Sequence, residues 1–230
     1  THTRATHLTH NIYRYGTDKP DLRYDLSFFP TSSNSRGICA TNLGSVLSRK
    51  KIVELVDTLQ TESSYTLSVL KGHKWMTRPC DFVNIDNVSS SPEDLTLILS
   101  SSSSTPSRKL LETLGRIRTF ISSIMIEHSL LTIPKDQFEF VWIVDFPLFE
   151  KEADEDGHGL DLFEERSTSL VSAHHPFTAP IQDNLDLSKL SETQLLELKA
   201  KHYDLVLNGS EIGGGSIRLH DAESQRVVLR

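Results

Sequence analysis

The stretch Tyr203-Asp204-Leu205-Val206-Leu207, Asn208-Gly209, Ser210-Glu211-Ile212 leaves this part of the chain little choice of fold. Asn-Gly accepts the positive φ angles of a two-residue turn, and the alternating residues around it suit two strands. A β-hairpin is therefore expected from residue 203 onward. Counting outward from the turn sets Val206 opposite Glu211 and Asp204 opposite Gly213. Asp204 and Glu211 then become diagonal neighbours on one face. Two carboxylates beside a bare glycine leave room for a divalent cation and a phosphate chain. Mg2+ suits such a place, because it takes one or two carboxylates and completes its shell with water and phosphate oxygens. Two solvent-facing acids on an exposed strand are the plainer reading of the same spacing.

Gly213-Gly214-Gly215 fall inside the second strand. No Gly-Lys-Ser/Thr follows them, and Arg218 stands where a dinucleotide-binding loop needs glycine. Glycines inside a strand mark a bulge, or a place where a ligand approaches the backbone closely. Arg218 lies seven residues past Glu211, so an unbroken strand points the two to opposite faces. A bulge at the glycines returns them to one pocket. There Arg218 could grip a carboxylate with both arms of its planar fork; otherwise it is an ordinary surface arginine. In His174-His175-Pro176-Phe177-Thr178 the adjacent histidines face opposite ways if the chain is extended, which argues against a shared metal. One of them could meet a substrate carboxylate while the other holds structure.

Composition divides the chain into three regions. Residues 1–24 form a short polar lead, made turn-rich by Gly16 and Pro20. Residues 25–135 have the pattern of a self-contained α+β unit. It holds a helix capped by Ser48 with Ile52, Leu55, Val56 and Leu59 on one face, and strands at 64–70, 81–85 and 95–99. A longer helix follows Pro106, with Leu110, Leu111, Leu114, Ile117, Ile121 and Ile124 as an apolar stripe. Residues 136–230 begin with a strand on which Phe138, Phe140, Trp142 and Val144 alternate, ending at Asp145-Phe146-Pro147. An acidic loop at 150–165 opens like a calcium loop with Asp154, Asp156 and Gly157. Phe163 occupies the place of the closing glutamate, so the loop reads as solvated. Ser191 and Gln194 form a capping box for a helix expected to reach about His202.

The net charge is −7, from 24 basic and 31 acidic residues. That balance excludes a chain that lives by phosphate contacts alone, so any basic nucleic-acid surface is local or lies elsewhere. No apolar run approaches the ~20 residues of a membrane helix. The opening residues are not a secretory signal, and the chain begins without Met, as a fragment would. Cys39 and Cys80 sit in no metal-binding spacing and read as reduced thiols.

Taken in order, Arg14-Tyr15-Gly16-Thr17-Asp18-Lys19-Pro20-Asp21-Leu22-Arg23, Trp142-Ile143-Val144-Asp145-Phe146-Pro147-Leu148-Phe149, His174-His175-Pro176-Phe177-Thr178-Ala179-Pro180 and residues 203–220 closely resemble bacterial and mitochondrial aspartyl-tRNA synthetases, a class II family. Residues 25–135 look like the GAD-like insertion domain that those enzymes share with the B subunit of tRNA-dependent amidotransferases. The resemblance implies an α+β fold: part of a class II antiparallel sheet with flanking helices, carrying an inserted α+β domain. It implies ATP-dependent activation of L-aspartate and transfer to the 3′ end of tRNA(Asp). Glu211 matches the acid that binds ATP through Mg2+, Asp204 a second acid beside it, and Arg218 the arginine that grips the aspartate side chain. His174 matches a histidine near the bound aspartate, with His175 beside it. For residues 15–23 no catalytic role follows, only a connection between core and insertion. The resemblance further implies a homodimer for the full-length protein, no membrane, and a mitochondrial matrix location suggested by Ser210 and the serine-rich loops, with a bacterial cytoplasm as the alternative. An anticodon-binding domain and class II motifs 1, 2 and 3 are not found in these residues, so the chain alone is expected to be inactive.

Overall fold

A computed structural model describes residues 2–57, 65–72, 91–151, 170–183 and 185–229. In chain order the elements are β1 (His2–His7), α1 (Leu8–Tyr15), β2 (Phe29–Ser32), β3 (Ser35–Ala40), α2 (Arg49–Asp57), β4 (Thr66–Lys71), β5 (Leu95–Ser100) and α3 (Arg108–Glu127). They continue with β6 (Glu139–Val144), β7 (Phe149–Lys151), β8 (Leu170–Ser172), α4 (Glu192–Glu197), β9 (His202–Leu207), β10 (Ser210–Ser216) and α5 (Ala222–Val228). The architecture is α+β. Two compact units divide the chain: Thr1–Asn11, Asp18–Leu22 and Phe138–Arg230 make one, and Ile12–Thr17 with Arg23–Gln137 make the other.

The first unit is built on a sheet of order β1-β6-β9-β10. The alternating row expected on β6 is the more exposed one, with Phe138 exposed and Phe140, Trp142 and Val144 half-buried, while Val141 and Ile143 are buried completely. Those two residues pair with Val206 and Asp204 of β9, so Asp204 stands in the inward-facing row. The β6–β9 and β9–β10 pairs are antiparallel, but β1 joins β6 in parallel. Residues 1–24 are thus more than a polar lead. β1 reads His-Thr-Arg-Ala-Thr-His, with no apolar alternation to betray it, because an edge strand is held mainly through its backbone. α1 follows at once, with Leu8 and Asn11 buried.

The capping box at Ser191 and Gln194 is complete in both directions. Its helix, however, stops at Glu197 instead of continuing toward His202. The next backbone groups are already engaged: Leu148 N donates to Leu198 O at 2.9 Å, and Ala200 N donates to Phe146 O at 2.8 Å. Leu148, Phe149, Leu187, Leu198 and Ala200 close a small apolar cluster there.

The second unit has an antiparallel sheet of order β2-β3-β5-β4, with α3 packed on β3 and β5. The expected stripe of α3 is its core face, Leu110, Leu111, Leu114, Ile117, Ile121 and Ile124 all being buried. Ser107 caps the helix by accepting from Leu110 N at 3.1 Å. Gly16, at φ +68°, passes so close to Gly115 of α3 that a methyl on either would overlap the other's backbone. The expected strand at 81–85, Leu59, Cys80 and the acidic residues Asp154 and Asp156 lie outside the described residues. Among the described residues, no helix is long and apolar enough to cross a membrane.

Candidate active site

The hairpin turns at Asn208 and Gly209, whose φ values of 51° and 85° are both positive, as a two-residue turn of this kind requires. Asn208 Oδ1 also accepts from Glu139 N at 2.9 Å, tying the turn to β6. Glu211 lies opposite Val206, as counted from the turn. The register then shifts between Glu211 and Gly213, so Gly214, not the expected Gly213, lies opposite Asp204. Ile212 is the extra residue, and a bulge of this kind reverses the alternation beyond it. One face therefore carries His202, Asp204 and Val206 on β9 together with Glu211, Gly214 and Ser216 on β10. Arg218 lies two residues past Ser216, where β10 has ended, and bridges Thr178 instead of β9.

Asp204 is 8% exposed, and its carboxylate lies where a side chain on Gly214 would have to go. Burial, and next the nearby Glu211 carboxylate, push the Asp204 carboxyl above the usual carboxylate range. Glu211 itself is exposed, and Lys19 Nζ lies 2.9 Å from its Oε2. That contact is the main cause that raises the Lys19 ammonium above its ordinary value, with Asp18 and Asp204 adding to it. Opposite the acids, a Cβ on Gly213 would meet only open space.

His202 Nε2 lies 3.2 Å from Asp204 Oδ1, while His202 Nδ1 is buried with no hydrogen-bond partner among the described residues. The His202 ring stacks on His174, with centroids 4.2 Å apart and planes 13° from parallel. Phe146 meets both rings edge-on, at 4.9 Å and 4.6 Å. His174 thus joins the acids through His202. His175 does turn the other way, stacking on Phe177 at 4.8 Å. Arg218 sets its guanidinium 3.7 Å from the centre of the same Phe177 ring. Its backbone has left β9 for the 177–179 segment: Thr178 bridges Arg218, Ala179 N donates to Ile217 O, and Leu219 N donates to Phe177 O.

Arg218 also lines a cavity of about 1070 Å³ with His220, Lys201, Asp183 and Asp221. Asp204, Glu211 and His174 are not among its lining residues. The two groups of site residues are thus connected through the adjacent His174 and His175, not through a shared cavity wall. Among the described residues, no three His, Cys, Asp or Glu side chains gather to form a metal cage. Lys19, His202 and Phe146 escaped the sequence reading. Phe146 and Lys19 lay in quoted motifs, but nothing local in the sequence marks Lys19 or His202 as neighbours of the acids.

Residues 2–230 match the family described as tRNA synthetases class II (D, K and N). Over 244 residues the chain is 32% identical to an aspartate–tRNA(Asp/Asn) ligase of Caldanaerobacter subterraneus, an alignment covering 94% of this chain and 37% of that protein. It is 30% identical to the mitochondrial aspartate–tRNA ligase of Dictyostelium discoideum, over 94% of this chain and 34% of the relative. The mitochondrial aspartate–tRNA ligase of Schizosaccharomyces pombe is also 30% identical, over 97% of this chain and 38% of the relative. The chain thus spans well under half the length of each of these relatives.

Proposed function

We propose that this chain, which belongs to the class II tRNA synthetases (D, K and N), serves in aspartate–tRNA ligation. The reaction would activate L-aspartate with ATP to aspartyl-adenylate, then transfer the aspartyl group to the 3′ end of tRNA. The observation that carries this reading is the bulge after Glu211, which sets Asp204 and Glu211 on one face of the hairpin. The relatives named as aspartate–tRNA ligases supply the substrate.

Asp204 and Glu211 would hold Mg2+ with the ATP. The fit is supported by two hard oxygen donors on one face of the hairpin. Two protein carboxylates without a fuller cage suit a cation that completes its shell with phosphate oxygens and water. Bound there, Mg2+ would supply positive charge to the phosphate oxygens. Attack of the aspartate α-carboxylate on the α-phosphate otherwise needs positioning and charge neutralisation more than covalent help from the protein. Arg218 is assigned to the aspartate side-chain carboxylate, a bidentate partner that asparagine cannot replace. His174 would border the bound aspartate and His175 would accompany it. Residues 25–135 would be the GAD-like insertion, residues 1–24 a catalytic-core segment with the connection to it, and residues 136–230 a further catalytic-core segment. In this reading the functional protein is a homodimer of the mitochondrial matrix.

The experiment replaces the matched segment of the Caldanaerobacter ligase with residues 2–230 and measures isotope exchange between pyrophosphate and ATP. The folded chimera should exchange with L-aspartate and not with L-asparagine or L-lysine. A chimera that melts cooperatively but exchanges with none of them, or with one of the other two, overturns the assignment.

A further inference from the structure

Lys19 belongs to a stretch, residues 15–23, for which the sequence offers no more than a connecting role. The structure gives it a specific neighbour: its ammonium lies 2.9 Å from Glu211 Oε2. We propose that Lys19 is a displaceable counter-ion, whose ammonium takes the place beside Glu211 that a divalent cation takes when nucleotide binds. The proposal rests on the reading of Asp204 and Glu211 as cation-binding acids, and gives Lys19 a role that neither its motif nor the hairpin spacing supplies.

Three features support a counter-ion that leaves over a fixed structural pair. Both partners are partly in water, with the Lys19 and Glu211 side chains 41% and 38% exposed, and ion pairs of that kind are weakly held. Lysine presents a compact charge on a flexible four-carbon stem, so the ammonium can swing out while its backbone stays. The backbone is anchored: Pro20 is buried, and Asp21 fills the space beside the turn glycine Gly209 that a side chain there would need. Asp204, by contrast, is buried and folded over Gly214, so it cannot follow the lysine outward. The vacated position therefore keeps both carboxylates in place, with Glu211 directly reachable from solvent. Electrostatics fixes the sign of the effect, because a positive charge beside Glu211 opposes the entry of a second one.

The test titrates Mn2+ into the 230-residue chain and follows paramagnetic broadening of the Gly213, Gly214 and Gly215 amide signals. In Lys19→Met the half-saturating Mn2+ concentration should fall by about three- to tenfold, because the competing charge is gone. Lys19→Arg, which keeps the charge, should stay at or above the wild-type concentration. An unchanged or higher concentration in Lys19→Met overturns the proposal, provided the broadening is still abolished by Glu211→Gln. Broadening that ignores Glu211→Gln, or none at these glycines, shows instead that the acids do not hold the cation. That result removes the underlying reading and the proposal with it.

Discussion

Gly214 sits directly opposite Asp204, and the absence of a side chain there is what lets the Asp204 carboxylate turn across the hairpin toward Glu211. Alanine within a strand is ordinarily easier to order than glycine, so Gly214→Ala should not harm the hairpin by its backbone preference. It should instead push the Asp204 carboxylate away, raising the half-saturating Mn2+ concentration roughly tenfold or more. Gly213→Ala, whose new methyl enters open space, should change it less than about twofold in the same titration. Equal effects from the two substitutions would refute the assigned geometry. Asp204 carries a second consequence. Burial and the neighbouring Glu211 raise its carboxyl above the unfolded chain's value, so the folded state holds its proton to higher pH than the unfolded state does. The stability this provides is fully present below the ordinary carboxylate range and is lost as pH rises through the raised value. Asp204→Asn should therefore melt higher than wild type at neutral pH, and the gap should close under acid. A lower melting temperature for Asp204→Asn at pH 7 would contradict this account.

Among the elements, the hairpin was the most legible because its signal is local: Asn208-Gly209 sets the turn, and counting from it paired Glu211 with Val206 correctly. The glycines announced a bulge but not its position, and Ile212 as the extra residue moved the partner of Asp204 from Gly213 to Gly214. α3 was equally legible, since six apolar residues at helical spacing define a face regardless of what lies against it. β1 was not, because an edge strand is held by main-chain hydrogen bonds that any sequence can make. The end of α4 was missed for a related reason. Backbone partners at Phe146 and Leu148, some fifty residues away, claim Leu198 and Ala200 before the helix can extend. Lys19 reaches Glu211, and His202 reaches His174, only through the folded chain. Arg118 is likewise a tertiary outcome: buried in α3, it donates to Leu26 O at 3.1 Å and Tyr24 O at 3.2 Å. α3 also offers a test of sign. A glycine inside a helix normally costs about 1 kcal/mol relative to alanine, so Gly115→Ala would ordinarily stabilise. Here the new methyl would strike the carbonyl of Gly16, and Gly115→Ala should lose about 1–3 kcal/mol in denaturant unfolding. A gain in stability would mean that Gly16 and Gly115 do not cross so closely.

For the whole molecule, the net charge of −7 argues that phosphate contacts do not dominate the work of these 230 residues. Amino-acid activation asks for something else, a cation beside two acids and a guanidinium for a carboxylate. The proposed function draws on the family match over residues 2–230 and on the two acids that share one face of β9 and β10. In the proposed reading Arg218 carries the substrate assignment, because a guanidinium held against the side chain would tell an acid from an amide. The most direct measurement is amino-acid selectivity of pyrophosphate exchange in the chimera that carries these residues, compared with its Arg218→Ala variant. Exchange with L-aspartate should fall at least about a thousandfold, as expected for loss of a bidentate charge-assisted pair, and the preference for aspartate over asparagine should disappear. A folded Arg218→Ala chimera that still exchanges with aspartate, and still refuses asparagine, would contradict it.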